Sequence, residues 1–214
     1  MGRTPRAFPR LAFTALYVFL GLLSFSYWHV ERATFLYVSD DLAFLPATKG
    51  ALLPIETPDE NEPLWRAAYL RQADAAKRLF DAGKARAFYL AGEPLVVRAA
   101  ARALADRGID AWRVTDLGEL DALDALVACR AALKRREFLV VAEDEIVRRA
   151  VYVARKRAYA AYGYETKPFD APWEKRFPTS IAHSVNRFSD LASGVASQLA
   201  NDDRSPFLRA SFGE

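Results

Sequence analysis

The chain has 214 residues, 52% of them apolar, with 30 Lys and Arg against 27 Asp and Glu, two His and one Cys. The surplus of +3 comes from Arg3, Arg6 and Arg10, which meet no acid in the first ten residues, so the remainder is charge-balanced and lacks the general basic excess of a nucleic-acid-binding domain. One Cys excludes an intramolecular disulfide framework and any multi-Cys zinc site, two His exclude His-rich metal chemistry, and the apolar content suits one ordinary core rather than a disordered chain.

After the basic leader (1–10), residues 11–30 read LAFTALYVFLGLLSFSYWHV, twenty residues without a formal charge. At about 1.5 Å of helical rise per residue this run matches the ~30 Å hydrocarbon core of a bilayer. Tyr27 and Trp28 occupy its far end, where amphipathic rings favour the headgroup layer, and Glu31 and Arg32 close it. The three preceding arginines predict a cytoplasmic N-terminus and an external domain by the positive-inside rule. The competing reading is a cleaved signal peptide with Ser24-Phe25-Ser26 as its small-x-small site, but the apolar run continues beyond it.

Residues 31–50, with Asp40-Asp41, Pro46 and Gly50, read as a connector to an α/β domain over 51–200 and a tail over 201–214. Ala51–Ile55 is a predicted strand, followed by a polar turn and a helix over 64–82 capped by Gly83. Arg86–Ala91 is a second strand, Pro94–Arg107 a helix ended by Gly108, and Ala111–Thr115 a third strand. A helix over 119–135 leads to Phe138–Ala142, an apolar run of the kind a parallel sheet buries on both faces. The spacing of Ile146, Val147, Ala150, Val151 and Ala154 predicts a helix over 144–162, and AYAAYG reads as its helical continuation. A strand over 164–169 and a helix over 180–199 complete the alternation, which predicts a doubly wound, mostly parallel, Rossmann-like sheet with its ligand site at the carboxyl ends of the strands.

The loops at those ends contain the candidate chemistry. Ala91-Gly92-Glu93-Pro94 holds one Gly and no G-x-G-x-x-G, so no dinucleotide cofactor is expected. Glu93 is a candidate acid or base, or a routine partner of the helix dipole. Asp116, Glu119, Asp121 and Asp124 offer carboxylates for hydrolysis or for a divalent ion, or merely helix caps; Asp124, one turn inside, is the sharpest of them. Glu143-Asp144-Glu145 precede Arg148 and Arg149, which could bind an anion or form a salt-bridged face. Cys129 reads as a core residue among Leu126, Val127 and Leu133, His183 as a surface residue and His29 as an interfacial one. No Ser-His-Asp, Cys-His or metal constellation assembles.

The order of segments resembles the SanA/ElyC/YdcF family of bacterial inner-membrane proteins. After the anchor, DLAFLPATKGALLPI is similar to the family's lead into its first strand, and LRQADAAKRLFDAGK to its Arg-containing helix ending in Gly-Lys. YLAGEPLVVR resembles a shortened S-G-D-N … N-E-P-x-x-x-R stretch, and VTDLGELDALDAL a D-x-A-G … T-x-D-S segment. FLVVAEDEIVRRAVYVA is similar to the family's strand, F-H loop and E-R-A helix, and RSPFLRASFG to its Pro-x-Phe-Leu-Gly element. The carry-over gives Gly92, Glu93, Arg98, Asp124 and Arg149 as candidate ligand-binding residues.

The chain departs from the pattern at Leu53-Pro54-Ile55 in place of V-L-G, Ala91 in place of Ser, Ala122 and Ala125 in place of Thr and Ser, and Ile146 in place of His. These losses remove hydrogen-bond donors and the titrating group of a proton-shuttling or phosphate-binding site. The resemblance therefore implies a divergent inner-membrane protein serving the envelope barrier (vancomycin exclusion), with the domain in the periplasm and no intact catalytic site. The alternative expectation is an envelope enzyme acting on a phosphorylated or glycan-linked lipid carrier through Glu93, Asp124 and Arg149. The expected partners are the inner membrane, through residues 11–30, and cell-wall or lipid-carrier components; no metal or other cofactor is expected.

Overall fold

A computed structural model describes residues 7–55, 62–120, 122–134 and 136–166. The predicted helix over 180–199, His183, the tail over 201–214 and the RSPFLRASFG segment lie outside the described residues. Helix α1, Ala7–Thr34, covers the predicted span and runs past it at both ends. Its 23-residue stretch Ala12–Thr34 is long and apolar enough to cross a membrane. Phe13, Leu16, Tyr17, Val18 and Phe19 are exposed along it. The Ser26 hydroxyl donates to the Leu23 carbonyl at 2.8 Å, satisfying the polar group within the helix.

The domain unit begins at Arg32. Strand β1 (Val38–Ser39) precedes β2 (Gly50–Ile55), α2 (Glu62–Asp81), β3 (Ala87–Gly92), α3 (Pro94–Asp106) and β4 (Val114–Asp116); α4 (Ala122–Ala132), β5 (Phe138–Glu143), α5 (Asp144–Lys156) and β6 (Ala161–Thr166) follow. The six strands form one sheet in the order β1-β6-β5-β2-β3-β4, and every pairing is parallel. This is the doubly wound α/β sheet predicted from the alternation. Its two faces sort by strand parity. Leu53, Phe88, Leu90, Leu139, Val141 and Tyr164 pack with residues of α2 and α3 on one side. Leu52, Tyr89, Phe138, Val140 and Ala142 pack with α4 and α5 on the other.

Several boundaries differ from the sequence reading. The connector carries β1, which pairs through Val38↔Gly163 and Ser39↔Tyr164 and adds a sixth strand. Ala111–Arg113 form a 3-10 turn rather than the start of a strand, and strand pairing begins at Val114. Helix α4 is shorter at both ends than predicted. The largest correction concerns AYAAYG. Helix α5 stops at Lys156, Ala158 takes a left-handed φ of 58°, and the Tyr159 N–H closes the end on the Ala154 carbonyl at 2.8 Å. The residues that follow enter β6 three positions before the predicted start, because period-2 packing overrides the helix propensity of Ala. Tyr162 and Tyr164 turn to the α2 side, while Ala161 packs on the α4–α5 side.

Candidate functional site

Strands β2, β3 and β4 proceed outward in one direction and β5 and β6 in the other, so the strand order reverses between β2 and β5. In open α/β sheets the crevice at such a reversal, outside the carboxyl ends, is where ligands bind. The β2–β5 register runs from Gly50↔Phe138 to Leu52↔Val140 and goes no further. Pro54 lies just beyond that point. Proline is disfavoured in a central strand because it has no N–H to give, but here the ladder toward β5 has already ended.

The carbonyls left open by the parting strands are taken by a side chain from α2. Gln72 Nε2 donates to the Pro54 carbonyl at 2.9 Å and to the Val141 carbonyl at 3.3 Å. Both neighbours are acceptors, which fixes the orientation of the amide. Gln72 is buried, and its Oε1 has no hydrogen-bond partner among the described residues. The preceding residue, Arg71, forms an ion pair with Glu143 at the carboxyl end of β5. Glu143 registers with Thr166 of β6, whose buried Oγ1 is likewise unpartnered among the described residues. Strand parity puts Glu143 and Thr166 on the α2 side of the sheet. The crevice is thus bridged by the chain's own amide and flanked by a neutralised arginine. What it offers a bound group is two buried oxygens able to accept from N–H or O–H.

The residues singled out from the sequence are distributed around this edge. Gly92 ends β3 with φ +145°, and a Cβ there would overlap the Ile55 carbonyl oxygen, so the close approach of β3 to β2 requires glycine. Its N–H donates to the Gly118 carbonyl at 3.1 Å, joining the β3 and β4 ends. Glu93 is the exposed N-cap of α3 and its side chain makes no capping bond. Arg98 is exposed on α3, whose buried residues pack on the α2–α3 face. Asp124, exposed in the first turn of α4, and half-buried Arg149 of α5 belong to helices on the opposite face. Gly92 and Glu93 are brought together as neighbours in the chain; the sheet separates Arg98 from Asp124 and Arg149.

Of the Glu143-Asp144-Glu145 acids, Glu143 pairs with Arg71 of α2, and Arg148 of α5 pairs with Glu165 of β6 at 3.2 Å. Cys129 is fully buried, and burial pushes its thiol up to about 12, which leaves no thiolate for nucleophilic chemistry. Among the described residues no group of three His, Cys, Asp or Glu side chains could hold a metal ion. Gln72 and Thr166 carry no signal in the sequence, since their surroundings come from strands distant along the chain. Compared with known protein families, with curated proteins and with solved structures, the chain matches none.

Proposed function

We propose that the chain is a single-pass, SanA-like envelope protein that contributes to the barrier against agents such as vancomycin without a catalytic step of its own. The observation that carries this reading is the Gln72 bridge: the crevice where an α/β sheet ordinarily receives its substrate is spanned by an internal side chain. Arg71, the residue before Gln72 on α2, is committed to Glu143. The apolar stretch Ala12–Thr34 of α1 and the three arginines before it support an inner-membrane anchor with the domain in the periplasm.

The alternative enzyme on a phosphorylated carrier finds less support. Among the described residues the segments leading from β3 and β4 into helices hold two acids, Glu93 and Glu119, and no base, which disfavours an anionic substrate there. Deletion of the gene in its native host is the test. Increased sensitivity to vancomycin, restored equally by the wild type and by a Glu93→Ala, Asp124→Ala, Arg149→Ala variant, is the expected result. Unchanged sensitivity in the deletion strain would count against the barrier role, and failure of a stably produced triple variant would favour the enzyme.

A further inference from the structure

Among the described residues the two ends of the strands differ in charge. The four segments leading from a helix into β3, β4, β5 or β6 hold seven Lys and Arg against two acids there, with Arg107 and Arg113 ion-paired to Asp74 and Asp110, whereas those leading from β3 and β4 into helices hold only the acids Glu93 and Glu119. Basic residues in the last turn of a helix complement its dipole, and that accounts for Lys156 and for Arg157 beside it. It does not account for Arg86 and Arg136, which are exposed and lie several residues beyond their helices, Arg86 directly before β3 and Arg136 two residues before β5.

Large apolar side chains are exposed at the same amino edge. Phe35, Leu36, Phe44 and Trp112 are 74–80% exposed. Phe35 and Leu36 belong to the entry of the domain, one residue before Tyr37, whose carbonyl accepts from the Gly163 N–H at 2.7 Å. Trp112 precedes β4, and the Arg113 guanidinium lies 3.9 Å from its ring centroid, a pairing of apolar ring and cation that suits a headgroup layer. Lys84, between α2 and β3, reaches the Phe44 segment, where its Nζ donates to the Leu45 carbonyl at 2.6 Å. Isolated exposed apolar residues are ordinary; their coincidence with the basic edge and with the entry of the chain from a membrane-spanning helix is not.

We infer that the amino edge of the sheet is a docking surface for an anionic lipid bilayer, with Phe35, Leu36, Phe44 and Trp112 entering the headgroup region and the edge bases lying over phosphates. Aromatic residues favour that layer, and clustered Lys and Arg are drawn to anionic leaflets within a Debye length. The inference needs α1 to span the membrane but does not depend on a barrier role.

The test uses the full chain in nanodiscs of phosphatidylcholine, or of phosphatidylcholine mixed with phosphatidylglycerol. A fluorescent label is placed by Ala111→Cys, beside Trp112, or by Leu95→Cys at the opposite edge; buried Cys129 takes none. In the mixed discs the label at 111 should be quenched by neutral acrylamide several-fold less than the label at 95, and high salt or phosphatidylcholine alone should remove the difference. Equal quenching of the two labels in mixed discs, or shielding at 111 that is the same without anionic lipid, would overturn the inference. A variant with Arg86→Gln, Arg136→Gln, Lys156→Gln and Arg157→Gln alters exposed residues only and should lose the shielding; retention of it would also overturn the inference. A change in vancomycin sensitivity is a separate readout, so docking and barrier function can fail independently.

Discussion

Gly92 and Gln72 show what a single residue contributes to the reversal point and how differently each can be read. Gly92 was legible, because a glycine between a strand and a Pro-led helix marks a turn of restricted geometry. Gly92→Ala should destabilise the domain by ~2 kcal/mol or more, read from denaturant unfolding, since the new Cβ meets backbone and not a movable side chain. Gln72 was not legible: a Gln in a helix is ordinary, and its role arises from two carbonyls 18 and 69 residues away. Gln72→Leu keeps the volume but leaves both carbonyls without their donor, and should cost about 1–3 kcal/mol. Cys129 was read as core and is core. Its thiol titrates near 9.0 when exposed and at about 12 in the fold, so the native state retains a proton that the unfolded state releases. That contribution is complete below pH 9 and is lost as pH rises toward 12, at about 1.4 kcal/mol per unit. Cys129→Ala should flatten the alkaline fall in stability measured by unfolding between pH 8 and pH 10.

At the scale of elements, the apolar runs carried most of the fold. Phe138–Ala142 and Ala51–Ile55 are continuous apolar segments because a central parallel strand is covered on both faces, and both were placed correctly. The errors fell where local propensity and tertiary packing disagree. AYAAYG has the composition of a helix, yet its alternation of large and small residues is what β6 uses. Strand β1 has two residues and no pattern of its own; it exists because Val38 can lie against Gly163. A Cβ at Gly163 would come within 2.6 Å of Val147 Cγ2 and 2.8 Å of Val38 Cγ2. Gly163→Ala should therefore cost about 1–3 kcal/mol by overpacking. Val147→Ala in the same chain should recover part of that loss, giving a double-mutant cycle with clear coupling, whereas additive effects would show that the contact relaxes elsewhere.

For the whole molecule, net charge was a poor guide until it was resolved by position. The leader accounts for the surplus in the sequence, but among the described residues the segments entering β3, β4, β5 and β6 are mainly basic while those leaving β3 and β4 are acidic, a contrast that no window of the sequence displays. The long apolar helix α1 was legible from length and composition alone. The proposed topology predicts that an alkaline phosphatase reporter fused after the domain is active in a bacterial host, while the same reporter placed directly after Arg10 is inactive. The reverse pattern would place the domain in the cytoplasm. The Gln72 amide has a consequence at this scale too. The pairing of β2 with β5 spans three register positions, against six for β2 with β3 and six for β5 with β6, and a side chain from outside the sheet joins the two halves there. The halves should therefore open as one cooperative unit, with the amides of Leu52 and Val140 exchanging hydrogen at similar rates. In Gln72→Leu they should separate into two units, with β5 and β6 exchanging before β2 and β3.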